Sequence, residues 1–178
     1  LLSARAVKFQ EKGLARWAPY EMSGSAIKPA DEIQSLLNEE PKVNAQFSKF
    51  LSKTLLADSS PGRQSAFSPY PYWELIEVED HATFNLGIIY LKQLDGGWQV
   101  VDCQYYASDG YYVSLILYQL WPVQIGNKPA TLVWRGDFVA ASPLAGTKGV
   151  ERMAAEGIMM GEIKKTIRAF REDLSRAP

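Results

Sequence analysis

Leu94-Asp95-Gly96-Gly97-Trp98-Gln99-Val100-Val101-Asp102-Cys103-Gln104-Tyr105-Tyr106-Ala107-Ser108-Asp109-Gly110-Tyr111 is the segment that decides the fold. Between its two ends, Trp98 to Ala107 reads as a strand. Val101, Cys103 and Tyr105 share one side and Asp102 and Gln104 the other, as a period of two requires. Both flanks carry glycine after aspartate, the chemistry of tight hairpin turns, because glycine accepts the positive φ those turns demand.

Outward from this strand the same pattern continues from Tyr72 to Ala141. Tyr72 to Glu79 and Thr83 to Gln93 read as strands on either side of an Asp80-His81 corner. Tyr111 to Trp121 and Ala130 to Ala141 follow, separated by a turn at Gly126-Asn127-Lys128-Pro129. Links this short make neighbouring strands antiparallel, since parallel neighbours need a long crossover. In the last strand Leu132, Trp134 and Phe138 oppose Val133, Arg135 and Asp137. The fourth is apolar on both sides, with Val113, Leu115 and Leu117 against Tyr112, Ile116, Tyr118 and Leu120, so it is central or covered on both faces.

The remaining chain reads as helices and loops. Ala4 to Leu14 could make a short helix ending at Gly13, and Leu14 to Met22 a short strand. Pro29 to Asn38 carries proline at a first helical position, Asp31 and Glu32 in the first turn, and an apolar face of Ile33, Leu36 and Leu37. Pro41 opens a second amphipathic helix to about Ala57, with Phe47, Phe50 and Leu51 on one side, and residues 58–71 read as loop. After Pro143, Met153, Met160, Ile167 and Leu174 recur every seven residues along one predicted helix, Lys148 to Ser175. The expectation is a single α+β domain over 1–178. Residues 1–71 are a helical and loop segment, 72–141 an antiparallel meander of five or more strands, and 142–178 a long C-terminal helix packed on the sheet.

Composition narrows the function. The chain has 178 residues, 47% of them hydrophobic and 22% charged; 19 basic and 20 acidic side chains leave a formal charge of −1. Such a balance disfavours a nucleic-acid binder, which needs a basic surface for phosphates. No run of about 18 apolar residues predicts a membrane-spanning helix. The start Leu1-Leu2-Ser3-Ala4 lacks an initiator Met, which suggests a leader removed by a signal peptidase or by truncation. An exported, periplasmic or extracellular protein is the expectation, with a cytoplasmic one as alternative. A lone cysteine, Cys103, forms no internal disulfide and reads as a buried thiol rather than a nucleophile.

Catalytic signatures are missing from the sequence. His81 is the sole histidine, so a triad or a His/carboxylate site must use it with Glu77, Glu79 or Asp80; an exposed turn residue is the plainer reading. No catalytic residue, metal ligand or cofactor is expected. Asp102, Gln104, Arg135 and Asp137 could gather into a polar cluster if their strands are close, or simply form a solvated face with cross-strand pairs. The tyrosines and tryptophans of adjacent strands fit a packed core or a wide pocket lined by aromatics with a few polar tips.

The order of elements resembles the START-like, helix-grip superfamily from about Tyr72 to Leu174. The residues that carry the likeness are the meander, Trp134-Arg135-Gly136-Asp137 in its final strand, Pro143 in the link, and the Gly157- and Gly161-containing helix. The resemblance implies a sheet wrapped around that helix with a hydrophobic ligand between them. The function expected is non-enzymatic binding of a lipid-like or other apolar small molecule. Its lining would be Phe84, Leu86, Tyr105, Leu115, Trp134, Phe138, Met153, Gly157 and Met160. Two alternatives are an exported interaction or assembly module that docks a partner through Tyr70, Tyr72, Trp73 and Trp98, and a His81-dependent hydrolase or cyclase.

Overall fold

The computed structural model describes residues 2–22, 24–57, 67–78, 81–141, 160–161, 163–169 and 171–172. The chain falls into two compact units, Leu1–Ser142 and Pro143–Pro178. The first is α+β. It contains helices α1 (Leu2–Lys12), α2 (Pro29–Glu39) and α3 (Pro41–Leu51), a small hairpin β1–β2 (Tyr20–Met22, Ser25–Ile27), and five long strands. Those strands are β3 (Ser68–Val78), β4 (His81–Leu94), β5 (Gly97–Ala107), β6 (Val113–Ile125) and β7 (Lys128–Ala140).

The five strands form one antiparallel sheet in the order β3-β4-β5-β6-β7, a meander in which every strand pairs with its sequence neighbour. The turns behave as their glycines predict, with φ of +89° at Gly96, +83° at Gly110 and +62° at Gly126. Most strand ends shift by one or two residues from the sequence reading, and at three of the ends that differ the strand runs through a proline. β3 begins at Ser68 despite Pro69 and Pro71, because β3 is an edge strand paired only to β4, where a missing N–H costs little. β6 runs past Pro122 to Ile125 because the β5 ladder ends at Leu120, leaving one side of β6 unpaired beyond it. Pro129 is admitted to β7 because β7 is the other edge.

One sheet face is closed by the N-terminal helices. Across the strands it shows Tyr90, Val101 and Leu117 in one row, and Ile88, Cys103, Leu115 and Phe138 in the next. Phe9 of α1 stacks on Tyr105 at 4.0 Å, Trp17 meets the same ring edge-on at 5.2 Å, and Phe47 of α3 lies 5.9 Å from Trp134. Ile33, Leu37, Phe50 and Leu51 complete the core. The small hairpin is tied to the sheet by the Tyr20 hydroxyl, which donates to the Tyr112 carbonyl at 2.5 Å. α3 stops at Leu51, short of the expected Ala57. Residues 52–56 continue as turns in which the Thr54 hydroxyl donates to the Phe50 carbonyl at 2.8 Å.

The long C-terminal helix expected at 148–175 is not part of the described fold. In the second unit the described residues, 160–161, 163–169 and 171–172, are helical, and Met160 and Ile167 are exposed. The rest of the expected helix, with Met153 and Gly157, lies outside the described residues. So do Glu79 and Asp80 and the side chain of His81, and with them the proposed corner chemistry.

Candidate functional site: the second face of the sheet

Alternation fixes what the second face carries. Its rows read Tyr72, Gly87, Gln104, Ser114, Val139; then Tyr70, Ile89, Asp102, Ile116, Asp137; then Leu91, Val100, Tyr118, Arg135. Apart from Tyr70 and Ser114, the side chains in these rows are half-buried. Polar groups thus run as a stripe through an apolar field of Ile89, Val100, Ile116 and Val139.

Gly87 organises the stripe. A Cβ there would collide with the ring of Tyr72. Without one, Tyr72 lies across β4 and donates its hydroxyl to Asp102 Oδ1 on β5 at 2.7 Å. Glu74 crosses the same strand; Oε1 accepts from Asn85 Nδ2 at 3.1 Å and also from Gln104 Nε2. Tyr111 donates to Gln104 Oε1. At the same level the β4–β5 register shifts between Leu86 and Gly87: Leu86 pairs with Tyr106 and Gly87 with Gln104, so Tyr105 has no partner opposite it. Tyr105 keeps to the core side with Val101 and Cys103, beneath α1, where it stacks on Phe9.

Arg135 and Asp137 close the other end. The guanidinium holds the carboxylate through Nε at 2.8 Å and 3.0 Å and Nη2 at 2.6 Å, a bidentate pair, while sitting 5.4 Å over the Tyr118 ring. Arg135 is held above its ordinary pKa chiefly by this bond to Asp137. Burial pushes the Asp102 carboxyl up; the Tyr72 hydrogen bond and the Arg135 charge pull it back, and the Glu74 charge adds to the rise. Burial likewise raises the Tyr72, Tyr111 and Tyr118 hydroxyls, each of which also feels the Asp102 charge. The Asn85 carbonyl oxygen is buried, at 0% residue exposure, and has no hydrogen-bond partner among the described residues.

The cluster of Asp102, Gln104, Arg135 and Asp137 was thus legible as a set, and the structure links it to Tyr72, Glu74, Asn85 and Tyr111. Of these, Tyr72 joins the set only because of one glycine in β4, which alternation alone does not reveal. The expected lining divides differently. Leu86, Tyr105 and Leu115 lie in the core under the helices, with Phe84 and Phe138 packed at its margin. Trp134 is exposed beside Phe47. Of the expected docking aromatics, Tyr70, Trp73 and Trp98 are exposed, whereas Tyr72 belongs to the polar stripe. Cys103 is fully buried and its thiol is held well above its ordinary pKa by burial, which leaves it inert.

No helix of the described residues is long and apolar enough to cross a membrane. No family model, curated protein or solved structure matches the chain.

Proposed function

We propose that this chain is a non-enzymatic binder of a lipid-like or other largely apolar small molecule, held against the second face of the sheet. The observation that carries the reading is the half-buried field of Ile89, Val100, Ile116 and Val139 around a stripe of fixed polar tips. Ligand sites combine an apolar wall with a few convergent polar groups in this way. The first face is a poor alternative, since Phe9 and Trp17 already occupy the space above Tyr105.

The test is native mass spectrometry of protein purified from its own source, followed by solvent extraction. A co-purifying apolar molecule near unit stoichiometry, lost in Ile116→Trp but retained in Trp73→Ser, is the expected result. Empty protein throughout overturns the reading. A second reading, an exported interaction module, draws on edge strand β3, where Trp73 is 69% exposed and stacks on Phe84 at 5.7 Å, with Leu75 exposed beside it. Sedimentation analysis showing a dimer that Trp73→Ser dissociates would favour it.

A further inference from the structure

Hydrogen-bond bookkeeping on the second face comes out uneven. Tyr72 and Tyr111 have spent their single hydroxyl protons on Asp102 and Gln104. Asn85 and Gln104 have each given an amide proton to Glu74. The other amide protons of Gln104 and Asn85 serve the Tyr72 and Tyr111 hydroxyl oxygens, so what remains is chiefly acceptor capacity: the second oxygens of Glu74 and Asp102, which accept no hydrogen bond among the described residues, and the buried Asn85 carbonyl, unpartnered among them. Charge is uneven in the same sense. Glu74 and Asp102 repel one another, and the nearby guanidinium of Arg135 is committed to Asp137 through three contacts.

A site with surplus acceptors, surplus negative charge and aromatic rings at its rim is complementary to a donor-rich cation. Among the described residues no group of three His, Cys, Asp or Glu side chains is placed to hold a metal ion, so the fitting cation is organic. We propose that the molecule bound on this face carries a primary ammonium group, anchored by Asp102 and Glu74 between the rings of Tyr72, Tyr111 and Tyr118. An ammonium offers three protons, enough to be shared between the free oxygens of Asp102 and Glu74. Its hydrocarbon part would lie along Ile89 and Ile116, which flank Asp102 on the neighbouring strands. This inference rests on the small-molecule reading above.

The experiment compares dodecylamine, dodecanol and dodecanoate, one chain length with three head groups, below their micellar concentrations. Binding to the whole chain, first stripped of co-purifying lipid on a hydrophobic resin, is followed by calorimetry at pH 7. The amine is expected to bind at least about tenfold more tightly than the alcohol, the size of one charge-assisted contact, with the carboxylate weakest. Asp102→Asn should bring the amine to the level of the alcohol and leave the alcohol unchanged; Glu74→Gln is the substitute if that variant does not fold. Amine affinity should also decline as the pH is lowered, starting above the ordinary carboxylate range, because protonation of Asp102 removes the counter-charge. Equal binding of amine and alcohol, or an equal loss of both in Asp102→Asn, overturns the anchor and leaves the small-molecule reading standing. Binding of none of the three overturns both.

Discussion

Leu115 and Ile116 are adjacent on β6 and point to opposite faces of one sheet, yet they live under different rules. Leu115 is 0% exposed among Cys103, Ile88 and Phe138, beneath three helices. Ile116 stands half-buried between Asp102 and Asp137. On the first face, packing is the whole content: rings from α1 and α3 fill the space, and Cys103 is only a small apolar group within it. On the second, side chains stay partly open and polar atoms are held at fixed positions by a bridging tyrosine and a bidentate arginine. On the binding proposal, the closed side supplies the stability that lets the open side keep uncommitted groups.

The most direct way to break this comparison is to truncate the two neighbours. Leu115→Ala should lower unfolding stability by about 3–4 kcal/mol, as buried leucines do when a cavity is left. Ile116→Ala should cost about 1 kcal/mol, in proportion to its partial burial. Urea midpoints with unchanged slopes provide the measurement. Equal losses would mean that the second face is core as well. Phe9→Ala probes the cover itself; stacked on Tyr105 at 4.0 Å, it should cost about 3 kcal/mol if α1 is an integral layer rather than an appendage.

Much of this was written in the chain. Alternation in Trp98–Ala107 separated Val101, Cys103 and Tyr105 from Asp102 and Gln104, and the Asp-Gly turns set the meander; both are local effects of the pleat and of φ. Asp102, Gln104, Arg135 and Asp137 could be grouped for the same reason. The prolines were misleading, because whether Pro69, Pro122 or Pro129 ends a strand depends on whether a neighbour needs the missing N–H, which is a property of the sheet. The lining was harder still. Tyr105 and Leu115 could be read onto apolar strand faces and Leu86 was grouped with them as lining, but which helices cover that face is decided by long-range packing, and α1–α3 cover it. Asn85 and Gly87 carried no signal at all. Their roles exist only when β3 lies beside β4 and Tyr72 reaches over.

Gly87→Ala sharpens the comparison at that crossing. The new methyl would displace the Tyr72 ring, and the Tyr72–Asp102 hydrogen bond would be lost. A stability loss of about 1–2 kcal/mol is expected, that of a hydrogen bond to a charged group in a part-buried setting. The same substitution should leave the core unaffected, so hydrogen-exchange protection of the Val101 and Leu115 amides, whose side chains lie on the first face, should not change. A shift in that signal would show the two faces to be mechanically coupled.

The smallest expected effect is also the one whose sign discriminates best. Burial raises the Asp102 pKa in the folded chain above that of the unfolded one. The folded state therefore binds more protons between the two values, and stability contributed at this position falls as pH rises through the folded pKa. At pH 7 the ionised carboxylate is the less favourable form, so Asp102→Asn, which keeps an acceptor for Tyr72, should be slightly more stable than the parent chain. Lowering the pH toward the ordinary carboxylate range should close that gap, because Asp102 then becomes neutral as well. Thermal unfolding of both proteins across that range measures it. If Asp102→Asn is instead less stable at pH 7 and the difference shrinks on acidification, the carboxylate is stabilised where it stands. The second face would then be a self-sufficient charge network, with Arg135 satisfying Asp102 as well as Asp137 and no acceptor capacity held open for a ligand.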